Sequence, residues 1–184
     1  MKANNSTSSF FRIACIFLLL ACIDISCSRF KREKATSTLS IEPGKEDSIF
    51  LNLLALTKYT IADSLREDSL GFLILPLHAS CPACRDKTID SISSHTQDLP
   101  ANRFIILSTY GGRKTFRSYF REHDKDLPVI NGQLFLDSTN EAGKYLLYDK
   151  KPTFYYTSRR RAFKKIGALP ATVRKDLNDF FSKK

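Results

Sequence analysis

The chain has 184 residues, room for one ordinary domain after a targeting segment. Hydrophobic residues at 42% and charged residues at 26% exclude a disordered or collagen-like polymer, and only five Cys exclude a disulfide-dense scaffold. The 29 Lys and Arg against 19 acids give a formal +10, but the excess is diffuse, and the one stretch mixing aromatics with bases (154–163) patterns as a hairpin, so no nucleic-acid interface is expected.

Residues 1–21 read as an export signal: Lys2 and Arg12 supply positive charge ahead of a short apolar run, Ile13 to Leu20. That run is too short to span about 30 Å of hydrocarbon comfortably. Leu19-Leu20-Ala21-Cys22 is similar to a bacterial lipobox, which implies acylation of Cys22 and a lipid anchor. Cys27 is the rival site; Asp24 before it departs from the pattern, yet cutting at Cys22 leaves Cys27 unpaired, so both stay open. Residues 22–45 read as a flexible tether, polar and punctuated by Pro43-Gly44, ahead of a domain over 46–184. Arg29, Lys31, Arg32 and Lys34 make that tether basic, either as a solvated spacer or as a contact with anionic lipid.

Within the domain, 47–59 carries Phe50, Leu53, Leu54 and Leu56 at helical spacing. Gly71 opens a dense apolar run to Leu77, a buried strand in which Pro76 marks an end or a bulge. A helix over 82–95, a strand over 104–107 and a helix over 113–122 follow. Pro128 to Leu136 predicts a strand, and Asn140 to Leu147 a short helix capped by Ser138 or Thr139. Strands at 153–156 and 162–166 form a hairpin across Ser158–Arg161, and Pro170 opens the last helix. Alternating elements of this kind predict an α/β fold: a central, mainly parallel sheet with helices on both faces and an antiparallel hairpin at its C-terminal end.

The chemistry concentrates at Cys81-Pro82-Ala83-Cys84, where the buried strand hands over to a helix. There Cys81 meets unpaired backbone N–H groups and the positive end of the helix dipole, which favour a thiolate, the nucleophile of disulfide exchange. Pro82 falls where its missing donor costs nothing, and Cys84 lies one turn further in, placed to resolve a mixed disulfide. A structural disulfide across two residues is unusual, and zinc needs a second ligand pair that His78, His95 and His123 do not supply by spacing. A pair of inert buried thiols is the remaining bland alternative.

Over about residues 46–184 the chain resembles the thioredoxin-fold proteins of the TlpA/ResA-like kind, exported thiol–disulfide oxidoreductases. The likeness rests on Cys81–Cys84 after a strand and on Lys151-Pro152-Thr153-Phe154-Tyr155-Tyr156 with its returning strand and Gly167. It implies a thioredoxin-like mixed sheet and a cis-proline at Pro152. It also implies that Pro152 and Lys151 line a substrate groove facing the sulfurs, and that the dithiol is the redox centre with no other cofactor. Implied partners are exported proteins with thiols or disulfides and an upstream membrane electron donor, at the cell envelope. Ser80 stands where the family has Trp, and strand 71–77 carries no acid to accept a proton, leaving Glu46 and Asp47 as candidate carboxylates. The competing expectation is a thioredoxin-fold binding module, holding copper on Cys81, Cys84 and His78 or serving as a protein scaffold. Lys151, Arg85 and Lys87 are the cations expected to tune the pair, Lys151 foremost.

Overall fold

Leu70–Pro76 offers no polar face, so the strand it forms has to be covered on both sides. A computed structural model, describing residues 37–182, places it at the centre of a six-stranded sheet. The signal over 1–21, Cys22, Cys27 and most of the tether lie outside the described residues. The elements run β1 (Thr38–Leu39), α1 (Glu46–Leu56), a 3₁₀ turn (Asp63–Glu67), β2 (Leu70–Pro76), α2 (Pro82–Ser94), β3 (Arg103–Ser108) and α3 (Arg113–Arg121). Then come β4 (Leu134–Asp137), α4 (Glu141–Lys144), β5 (Thr153–Ser158), β6 (Arg161–Gly167) and α5 (Val173–Phe181).

The strand order is β1-β6-β5-β2-β3-β4. β2, β3 and β4 are parallel, but β5 pairs antiparallel with both β2 and β6, and β1 with β6, so the sheet is mixed rather than mainly parallel as expected. Side chains alternate across the sheet, so Leu73 and Leu75 meet α2, α3 and α5 while Phe72 and Ile74 meet α1 and α4. The architecture is the mixed α/β sheet of a thioredoxin-like fold, with helices on both faces and the expected C-terminal hairpin. Among the described residues no helix is long and apolar enough to cross a membrane.

Pro76 is accommodated because β2 outlasts its neighbour. The Leu77 N–H bonds Ser108 on the β3 side, so the missing donor of Pro76 faces the β5 side, where pairing has already ended at Ile74 and Thr153. Gly71 is required by a close approach: a Cβ there would lie 2.7 Å from the Arg103 side chain, which crosses it to donate to the Phe180 carbonyl at the end of α5.

Several boundaries differ from expectation. The strand predicted over 128–136 begins only at Leu134, because Asn131-Gly132 makes a turn with Gly132 at φ +72°. The short helix stops at Lys144, since Leu146 adopts φ +55°. Asn140 holds its N-cap position, and the Asp137 carboxylate, rather than Ser138 or Thr139, accepts its first two N–H groups. Pro170 lies in the turn before α5. At the end of the expected tether, Thr38 and Leu39 pair with Ile166 and Lys165, and the Ser37 carbonyl accepts from the Gly167 N–H, so the ordered sheet begins before residue 46.

The hairpin between β5 and β6 turns on Arg159 and Arg160, both left-handed at φ +50° and +60°. Side chains with a Cβ pay about 1–2 kcal/mol per residue there, and Asn-Gly is the pair that such two-residue turns favour. Arg159→Asn with Arg160→Gly should therefore raise stability by about 1 kcal/mol. The exposed Arg160–Glu67 ion pair that is lost offsets only part of the gain. Denaturant midpoints measure this, and a lower midpoint would contradict the strain argument.

Candidate functional site

Local propensity does not build α2. Its Ser, Thr, Ile and Asp residues each cost a few tenths of a kcal/mol relative to Ala. Fully buried Ile89 and Ile92 each contribute about 1.5–3 kcal/mol, so packing holds the helix and fixes its first turn at the end of β2.

Cys81 is the N-cap of α2, extended at φ −56° and ψ 134°, with Pro82 at the first helical position. Its sulfur accepts the Cys84 N–H at 3.3 Å, while its carbonyl accepts from Arg85 at 2.9 Å. The two thiols are free, Cys81 half-buried and Cys84 with 0% of its surface exposed. Burial, then the Cys81 sulfur beside it, pushes the Cys84 thiol up to about 12, against a weaker opposing pull from Lys87 and Lys151. The Cys84 thiol points at the Ala168 carbonyl, 3.9 Å away, and Thr88 ties its hydroxyl to the Cys84 carbonyl at 2.7 Å. Ser80, buried just before Cys81, has a hydroxyl with no partner.

The second predicted anchor reaches the pair differently from expectation. The Lys151–Pro152 bond is trans, not cis. Lys150 in the left-handed region, φ +42°, reverses the chain ahead of it, so the turn is made without a cis bond. Pro152 stays near the dithiol through one residue: its carbonyl accepts from the Ala168 N–H at 2.8 Å, and the Ala168 carbonyl faces Cys84. Lys151 runs its carbon stem across Gly167, where a Cβ would come within 2.8 Å of it. Its charge acts on Cys84, the buried member of the pair.

Of the other candidates, only Lys87 also acts on Cys84. Arg85 is engaged by the Leu77 carbonyl, Asp86 and the Tyr119 ring, and Lys87 reaches the Pro170 carbonyl at 3.5 Å. Glu46 and Asp47 pair with Arg161 and sit on the helix that covers the opposite face of the sheet. His78 lies exposed beside Tyr110, and no three His, Cys, Asp or Glu side chains converge as a metal site among the described residues. Ala168 was not legible in the sequence, because a main-chain carbonyl leaves no residue signature; Thr88 went unread, although it stands one helical turn after Cys84.

The arrangement can present one sulfur to solvent at a helix N-terminus and hold a protonated second sulfur behind it. A scan against protein-family models and a search of curated proteins both return no match.

Proposed function

We propose that the chain is a thiol–disulfide oxidoreductase of the TlpA/ResA-like kind, exported and tethered to the cell envelope by a lipid on Cys22. It exchanges disulfides with exported proteins and is served by a membrane electron donor. The observation that carries the reading is the placement of Cys81: an N-cap sulfur, partly exposed, accepting a helix N–H, with a fully buried Cys84 one turn behind it. That environment favours negative charge on the sulfur that solvent reaches.

In the exchange, a substrate thiolate attacks Cys81 of the Cys81–Cys84 disulfide. The S–S bond breaks and Cys84 leaves, taking up a proton. A mixed disulfide between substrate and Cys81 remains. The second substrate thiolate then attacks its own half of that bond, releasing reduced Cys81 and an oxidised substrate; the reverse sequence reduces a substrate. Lys87 and Lys151 ease the charge on Cys84 while it is transiently a thiolate. On this reading Lys151, running beside Gly167, would meet the substrate chain, while Pro152, itself buried, would act through the Ala168 main chain it bonds.

Dithiol-driven reduction of insulin tests this. Cys81→Ala should abolish it, and Cys84→Ala should halt at the mixed disulfide, seen as a covalent adduct on a non-reducing gel. Turnover by both variants at the wild-type rate would defeat the proposal.

A further inference from the structure

The outer side of α3 carries a feature that disulfide exchange does not use. Arg113, Lys114, Arg117 and Arg121 are all exposed, and among the described residues none of them pairs with a carboxylate. At about 100° per residue, the four fall within an arc of about 100° over two turns, a continuous cationic stripe. Lys114, Arg117 and Arg121, with Ser118 and Glu122, line a shallow depression of ≈ 510 Å³. Glu122 is the one acid there, about 80° beyond the edge of the stripe by the same geometry.

The opposite flank of the helix faces the site. Tyr119, about half a turn round from the centre of the stripe, stacks against Arg85 of α2 at 5.5 Å, and His123 just past the helix end meets Asp86 at 3.2 Å. The cations therefore point away from the dithiol helix. No exposed large apolar or aromatic side chain belongs to the stripe; those lie at Leu51, Tyr59, Leu65, Tyr110, Val129 and elsewhere. A specific protein partner is gripped by buried aromatic and arginine anchors in pockets, whereas a fluid array of anionic headgroups needs only spaced positive charge.

We propose that the α3 stripe of Arg113, Lys114, Arg117 and Arg121 docks on an anionic lipid surface, leaving Cys81 on the side turned away from it. The inference is independent of thiol chemistry, since it rests on charge alone. Each cation brought to an anionic leaflet strengthens binding about fivefold, and the effect fades with salt.

The test is sedimentation of the full chain with phosphatidylcholine vesicles made with and without phosphatidylglycerol. The gain in binding that phosphatidylglycerol brings is the readout, so a hydrophobic or acyl anchor cancels. Arg117→Gln with Arg121→Gln should cut that gain by at least about tenfold, and high salt should erase it. Arg174→Gln with Lys175→Gln, which removes the same formal charge from α5, should leave most of it. The proposal is overturned if the wild type shows no preference for phosphatidylglycerol, or if both variant pairs lose equally. It is also overturned if the stripe binds soluble polyglutamate but not the vesicles, which would make its partner an acidic polypeptide.

Discussion

Limiting alkylating reagent added to the reduced protein near about pH 8 should modify Cys81 and leave Cys84 untouched. With its pKa pushed up to about 12, Cys84 is a thiolate in about one molecule in 10⁴ at that pH, and only the thiolate reacts. Full burial closes the direct route as well. Cys81 is partly exposed at the N-cap of α2, where reagent reaches its sulfur. Peptide mapping separates the pair from Cys15, Cys22 and Cys27. Equal labelling of Cys81 and Cys84 would reverse their proposed roles. The same burial links stability to pH. The unfolded chain releases this proton near about 8.5 and the folded chain near about 12, so the contribution is intact below about 8.5 and is lost progressively as pH rises toward 12.

The second large effect lies away from the sulfurs. Asp137→Asn should cost about 3 kcal/mol, although it preserves shape. One oxygen of Asp137 accepts the Glu141 N–H at 2.8 Å; the other accepts the Ala142 N–H at 2.9 Å and the Ser108 hydroxyl at 2.7 Å. An amide has one oxygen, so its NH₂ would face donors, leaving at least one of them buried and unpaired. The group is only 7% exposed, and water cannot substitute freely. Urea denaturation measures the change; a loss below about 0.5 kcal/mol would mean the local structure re-forms around the amide.

What could be read from the sequence follows from how local each cause is. Leu70–Pro76 announced itself as a doubly covered strand, and Pro82 after Cys81 announced a helix start, because the apolar run and the proline act within their own element. Asn131-Gly132 was an equally local signal, and it outranks the apolar residues around it that had predicted a longer strand. The Asp137 cap was not legible, since Ser108 and Asp137 meet only once β3 and β4 lie side by side. The cis geometry at Pro152 was borrowed from a likeness, and the turn at Lys150 does that work another way. Thr38 and Leu39 were hidden inside a polar stretch; a two-residue strand has no periodicity to detect.

The order of pairing around β2 bears on how the protein is made. Its partner on one side, β3, follows closely in the chain, but β5, on the other side, emerges about 80 residues later. At a synthesis rate of about 5–20 residues per second, a nascent chain carries the open β5-side edge of Leu70–Pro76 for roughly 4–16 s before Thr153–Ser158 can close it. A wholly buried apolar strand thus keeps hydrogen-bonding groups open on one side for seconds of synthesis, which marks it as a segment on which a chaperone would act or from which aggregation would start.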